Sequence, residues 1–248
     1  MALSAFKRKN LKVLEIGSWV GLGSTQTFAE YSEILHCVDN WEGNGVVHHD
    51  EVINVTDPYN LFRENTKNLA TKLISIHAKS EDALKLLPKN YFDAIFIDAD
   101  HTYAGLKKDL NAAMPLLKEN GILLGHDAEA RFETLNPKLS SFLETAMKKD
   151  AVECDEIIRA LEETLPDINA VDPRNYPTLT PLVKFKCLHA GVIKALSEFN
   201  FPKLYFSDLR LEDQGFSSIW VAKKRSNFQK NMVFHSIEKF INRRAESG

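Results

Sequence analysis

The chain has 248 residues, 44% of them hydrophobic and 26% charged, with a formal net charge of -3. That length buries one sizeable core, and the composition is that of an ordinary globular protein, which excludes a disordered or fibrous chain. A slightly acidic balance lacks the electrostatic drive for gripping a phosphate backbone, so nucleic acid is not an expected partner.

The first ten residues, Met1 to Asn10, carry their charges after a very short apolar stretch, opposite to the order of a secretory signal. Short apolar or β-branched runs then follow at Leu11–Ile16, Ile34–Val38, Leu73–Ile76, Phe92–Ile97 and Ile122–Leu124. Between them lie segments with helical spacing: Thr25–Tyr31, Tyr59–Thr71, Ser80–Leu87 and Tyr103–Leu117, the third opening on Ser80, Glu81 and Asp82 as a capped helix would. Alternating β and α with continuously apolar strands predicts an α/β fold, an open, doubly wound sheet covered by helices on both faces.

The alternation stops after Asp127. Residues 128–188 hold two amphipathic segments, Lys138–Lys148 and Cys154–Leu165, and a stretch with Pro166, Pro173, Pro177 and Pro181. We read them as a helical insertion within one domain spanning 1–248, either a cap over the ligand crevice or a stabilising helical pair. A helix at Gly191–Glu198 and strands at Lys203–Phe206 and Ser217–Lys223 follow, the strands antiparallel because the acidic turn at Leu211–Gly215 joins them so closely. A terminal amphipathic helix is expected at Phe228–Arg244. No run reaches the roughly 20 apolar residues of a membrane helix. The three cysteines, Cys37, Cys154 and Cys187, form no Cys-x-x-Cys pair, so a reducing, cytoplasmic setting is expected.

The chemistry-bearing residues begin where the first strand runs into a glycine-bearing turn, Glu15-Ile-Gly-Ser-Trp-Val-Gly-Leu-Gly23, before a helix. Glycines at Gly17, Gly21 and Gly23 let backbone approach a ligand. Asp39 ends the second strand, where a nucleoside-binding fold places a carboxylate on ribose hydroxyls; the alternative is that it caps a loop. The glycine order differs from the Gly-x-Gly-x-x-Gly of pyrophosphate binding, and Glu15 precedes it, which favours a ligand without phosphate.

These features resemble motif I of class I S-adenosylmethionine (SAM)-dependent methyltransferases, and Cys37-Val-Asp-Asn-Trp41 resembles the acidic end of their second strand. Phe96-Ile-Asp-Ala-Asp-His-Thr-Tyr103, Asp109 and Gly121-Ile-Leu-Leu-Gly-His-Asp127 resemble small-molecule O-methyltransferases of the macrolide and sugar type. Ala78-Lys-Ser-Glu-Asp82 is similar to their adenine-side segment and His189-Ala-Gly-Val-Ile-Lys-Ala195 to their helix after the insertion. The resemblance implies a Rossmann-like seven-stranded sheet of order 3-2-1-4-5-7-6 with strand 7 antiparallel. It implies SAM as cofactor, on Glu15, Gly17, Ser18, Gly21, Gly23, Asp39, Asn40, Ser80 and Asp98.

The same resemblance implies methyl transfer to a hydroxyl of a small molecule. Asp98 and Asp127 match the positions that hold Mg2+ in metal-dependent members, while Ala128 stands where a third ligand would be; the acidic pair is alternatively structural. His126 and His101 are the candidate bases, with Asp98 beside them, and His101 could instead cap its turn. His48 and His49 occupy a loop that could cover the site or be solvated, and His36 and His77 read as structural. The rival functions are a nucleotide-binding oxidoreductase and a non-catalytic SAM-binding module. The first strand starts almost at Met1, so a preceding segment or a partner, as in a homo-oligomer, is expected to supply the helix that often covers this cofactor.

Overall fold

A computed structural model describes residues 10–42, 47–48, 51–52, 57–162, 177–211 and 215–224. His49, Pro166, Pro173, the tip of the acidic turn and the expected helix at 228–244 lie outside the described residues, as do Met1 to Lys9 and the side chain of His48. Seven strands form one sheet: β1 Leu11–Ile16, β2 Ser32–Asp39, β3 Leu73–His77, β4 Phe92–Ile97, β5 Leu117–His126, β6 Leu204–Leu211 and β7 Gly215–Lys223. Their order is β3-β2-β1-β4-β5-β7-β6. β1 and β3 each pair with β2 in parallel, and β6 runs antiparallel to β7, so the sheet is mixed and Rossmann-like.

The helices are α1 Ser24–Tyr31, α2 Pro58–Thr66, α3 Ser80–Leu86, α4 Tyr103–Ala113, α5 Pro137–Ala146, α6 Cys154–Leu161, α7 Thr180–Lys184 and α8 Ala190–Glu198. Two differences from the sequence reading have local causes. The fourth helix stops at Ala113 because Pro115 disfavours helical backbone at Met114, and Leu117 already belongs to β5. β5 is thereby far longer than its apolar run, since Lys118 and Glu119 lie in the strand but outside the pattern. Ser80 is the first helical residue of α3, behind Lys79 as N-cap without a side-chain cap bond. Side-chain caps occur instead at Asp57, which accepts from the Asn60 amide, and at Asn136, which accepts from Lys138.

The chain divides into two compact units, one of residues 1–96, 112–123 and 224–248, the other of 97–111 and 124–223. In the first, Val13, Leu14 and Ile16 of β1, Leu35 of β2 and Phe92 and Ile95 of β4 have no exposed surface. In the second, α5, α6 and α8 share a core of Leu139, Leu143, Ile157, Leu161 and Ile193, to which Leu188 is added from a two-residue ladder pairing Val152 with Leu188 and Glu153 with Cys187. All three cysteines are free thiols. Among the described residues no helix is long and apolar enough to cross a membrane.

Gly191, in the first turn of α8, lies against the backbone of the turn leading into α4. A Cβ there would fall 2.3 Å from the His101 carbonyl oxygen and 2.3 Å from the Tyr103 nitrogen. Backbone cannot rotate aside as a side chain can. Gly191→Ala is therefore expected to lower stability by about 1–3 kcal/mol, read as a reduced midpoint in urea; an unchanged midpoint would mean that the helix does not approach the turn this closely.

Candidate active site

In the first unit the turn after β1 is built around two carboxylates. Glu15 has no exposed surface and accepts hydrogen bonds from Ser24 Oγ at 2.5 Å and Thr25 Oγ1 at 2.6 Å, both at the start of α1. Cys37 Sγ adds a contact at 3.5 Å. Burial raises the Glu15 pKa, and these donors counter the rise. Glu15 thus closes the turn from beneath. Gly17 and Gly21 take left-handed backbone, φ 86° and 73°, which L side chains resist. A Cβ on Gly21 would also meet Phe62 and Thr66 of α2 at 2.9 and 2.8 Å.

Asp39 holds the turn from the neighbouring strand. Its Oδ2 accepts the Trp19 amide at 2.8 Å and its Oδ1 accepts the Trp41 amide at 2.7 Å. Both tryptophans have positive φ, 43° and 46°, a strained state for a bulky residue. Trp41 Nε1 also donates to the Trp19 carbonyl at 2.6 Å. The loop reading and the ligand reading of Asp39 are compatible, because a carboxylate with two amides still has lone pairs for ribose hydroxyls. The buried Trp41 ring packs on Tyr59, Phe62 and His77, with centroids 4.7, 4.8 and 5.2 Å away. Asn65 of α2 donates to the Val20 carbonyl at 2.8 Å, fixing the turn from a third side. Ser18 is buried, with no partner for its hydroxyl; Gly23 caps α1 with open space where a Cβ would stand. Asn40 follows β2, where its amide donates to Glu42 at 3.1 Å.

In the second unit a histidine–carboxylate cluster gathers at the ends of β4 and β5 and the start of α8. His101 Nε2 lies 3.2 Å from Asp98 Oδ1 and 3.3 Å from Asp127 Oδ2, and its Nδ1 donates to Asp150 at 2.9 Å. His126 Nδ1 donates to Asp127 Oδ1 at 2.6 Å. His189 Nδ1 donates to Glu129 Oε1 at 2.6 Å, its amide donates to the other Glu129 oxygen at 3.1 Å, and its Nε2 stands 3.5 Å from Asp127 Oδ2. Asp127 reaches three imidazoles from left-handed backbone, φ 60°, a conformation that Asp tolerates better than most residues. Asp100 serves the turn itself, accepting the Thr102 amide at 2.9 Å, so that role falls to Asp100 and leaves the His101 ring to the cluster.

The electrostatics follow from this crowding. Burial opposes a charged His101 ring, but hydrogen bonds to Asp150 and Asp98 outweigh it and push the pKa up to about 11. His126 rises to about 9 against the same burial, chiefly through Asp127, and His189 is also raised, with Glu129 as the main opposing influence to its burial. Asp127 is correspondingly lowered: burial works against its charge, and His126, His189 and His101 overcome that. Asp98, His101, His126 and Asp127, expected from the sequence, therefore meet in one place. Glu129, Asp150 and the ligand-like placement of His189 were missed. His189 had a signal, since it opens the segment resembling the helix after the insertion; Asp150 sits in the insertion, and nothing in its local sequence marks it.

Magnesium takes oxygen ligands in near-octahedral array. Here an imidazole nitrogen stands between Asp98 and Asp127, and both Asp127 oxygens face histidine nitrogens. Those residues do not fit magnesium. Beside them a cavity of about 240 Å3 is lined by Glu129, Arg131, Leu135, Phe185 and Phe206 among others. Arg131 stacks on Phe206 at 4.6 Å and donates to the Leu204 carbonyl at 2.7 Å.

Residues 14–128 match the model of a methyltransferase domain. The match agrees with the class I methyltransferase resemblance of the sequence. The match takes in the turn after β1, Asp39, Asp98, His101, His126 and Asp127, and the nucleotide-binding oxidoreductase has no support from it. No curated protein matches the chain. Similar solved structures include a cofactor-bound MTB protein, Rv0187 (16% identity, TM-score 0.49, 91% of this chain and 78% of that one). Others are the O-methyltransferase TomG of tomaymycin synthesis from Streptomyces achromogenes (12%, 0.48, 90% and 76%) and an O-methyltransferase from Bacillus cereus (15%, 0.45, 90% and 78%). Likeness at this distance carries no chemistry from those proteins to this one.

The Asp39 clamp makes a prediction independent of any ligand. Asp39→Ala strands two strained amides and is expected to cost about 1–3 kcal/mol of stability, whereas Asp39→Asn, keeping one acceptor oxygen, should cost less. Urea unfolding followed by tryptophan fluorescence checks the order; equal, negligible losses would show that the amides do not need the carboxylate.

Proposed function

We propose that this methyltransferase domain binds SAM on the turn after β1 and transfers its methyl group to a hydroxyl of a small molecule. The observation that supports it most is the pairing of Asp127 with His126, a carboxylate orienting an imidazole through a 2.6 Å bond to Nδ1. Both His101 nitrogens face carboxylates, and we take His126, oriented by Asp127 through Nδ1 at the end of β5, as the proton acceptor. The match over residues 14–128 supplies the methyl-transfer chemistry.

In this reading Asp39 takes the ribose hydroxyls, with Gly17 and Ser18 in the turn beneath the cofactor, and Asn40 and Ser80 alongside. The sulfonium is an activated leaving group, so the protein's task is to position the acceptor oxygen and take its proton as the carbon–oxygen bond forms. His126 accepts that proton in its neutral form, which its raised pKa of about 9 makes the minor one at neutral pH, and Asp127 stabilises the resulting imidazolium. The cavity beside Glu129 receives the acceptor. Its walls include Thr134, Leu135, Thr180 and Phe185 from residues 128–188, which gives the insertion its part in choosing the acceptor. Phe185 and Phe206 favour a flat or apolar body there.

Two measurements test the proposal. Calorimetry with S-adenosylhomocysteine should show binding that Asp39→Ala weakens by about 1–3 kcal/mol. Methyl transfer to a panel of phenolic, sugar and macrolide alcohols should fall by roughly 10²–10⁴-fold in His126→Ala, with cofactor affinity unchanged. Turnover that survives this substitution would remove His126 from the reaction, and transfer confined to amines would overturn the hydroxyl acceptor.

A further inference from the structure

The contacts of His101 and His189 fall into two lengths. On their outer side, Nδ1 of each ring meets a carboxylate at 2.9 Å (Asp150) and 2.6 Å (Glu129), the range of charge-assisted hydrogen bonds. On their inner side the Nε2 atoms stand 3.2–3.5 Å from carboxylate oxygens: His101 from Asp98 Oδ1 and Asp127 Oδ2, His189 from Asp127 Oδ2. The inner distances are longer than the outer ones, although His101 Nε2 to Asp98 at 3.2 Å is still within hydrogen-bond reach. They match the spacing of neighbouring ligand atoms around a tetrahedral cation, since atoms about 2.0–2.1 Å from the ion lie about 3.4 Å apart.

A ring whose Nδ1–H is given to a carboxylate presents its Nε2 lone pair in the other direction. Carboxylate–histidine pairs of this kind orient metal-bound imidazoles and raise their basicity. His101 and His189 are both held so, and both turn Nε2 toward the same Asp127 oxygen, the three donor atoms lying within 4.8 Å of one another. The Glu129 side chain is buried and gives one oxygen to the His189 ring and the other to its amide, so it fixes the ring.

We propose that His101, His189 and Asp127, with Asp98 beside them, form a binding site for a divalent transition-series cation such as Zn2+, in which two imidazoles join the carboxylates that the resemblance assigned to magnesium. Two imidazoles and a carboxylate are a donor set suited to zinc and its neighbours, and a poor one for magnesium. Glu129 and Asp150 act as positioning residues. The site stands whether or not the acceptor proposed above is correct, because its ligands do not include His126.

The test is cation binding by the full chain without an added histidine tag. Equilibrium dialysis and titration with Zn2+ and Co2+ should show a single cation per chain, bound at least 100-fold more tightly than Mg2+, and Co2+ should give visible absorption of a nitrogen-ligated ion. His189→Ala and His101→Ala should abolish tight binding. Glu129→Gln and Asp150→Asn, which keep the ligands, should weaken it about 10–100-fold, whereas His126→Ala should leave it nearly intact. If His189→Ala does not fold, Glu129→Gln decides the matter alone. Zn2+ affinity unaltered in Glu129→Gln, or Mg2+ bound as tightly as Zn2+, would overturn the site.

Discussion

The second unit is organised by one carboxylate that has to be satisfied. Asp127 stands on a left-handed backbone with its side chain 18% exposed, and that partial burial disfavours its charge unless partners offset it. Three histidines, each from a different part of the unit, supply them: His101 from the turn before α4, His126 from the end of β5 and His189 from the start of α8. Each of these brings its own carboxylate or shares Asp127, so charge is matched locally in alternating sign. Within such a network the loss of Glu129 takes from the His189 ring its closest carboxylate and leaves it the more distant Asp127.

The need to bring those segments together explains local features that otherwise look unrelated. Gly191 lets α8 approach the backbone of residues 101–103, and Gly105 has Asp100 where a Cβ would sit, with the Asp100 carboxyl carbon 2.1 Å from that point. The Tyr103 amide donates to the Met147 carbonyl at 2.9 Å, which ties the insertion to the same turn near Asp150. The motif Asp98-Ala-Asp-His-Thr-Tyr-Ala-Gly105 is thus a packing device as well as a chemical one. Its glycine and Asp100 shape the turn, while Asp98 and His101 face the cluster.

The first unit solves a different problem with the same kind of group. A strand that runs directly into a turn and then a helix must supply acceptors for amides in strained conformations, and Asp39 does this for Trp19 and Trp41. Glu15 meanwhile anchors the beginning of α1 through Ser24 and Thr25. Both carboxylates carry structural duties, so loss of cofactor binding on changing either one has two routes: a lost contact or a collapsed turn. Stability measured beside affinity separates them.

The sequence by itself determined the element order, the sheet order through its resemblance, and the residues that end the central strands. Phe92–Ile97 is legible because a buried strand is apolar nearly throughout, and Asp39, Asp98 and Asp127 are legible because they come just after such runs, Glu15 because it interrupts one next to the glycine turn. β5 was underread because Lys118 and Glu119 begin a strand whose pairing, not its composition, defines it. Only the tertiary structure decided what the carboxylates do. Asp127 meets His189 from 62 positions away and His101 meets Asp150 from 49, separations that no periodicity or local motif encodes. Glu129 shows the limit most clearly: beside Ala128 it reads as an ordinary charged residue, and only folding buries it against His189, because a hydrogen bond between distant segments is a property of packing and not of sequence neighbourhood.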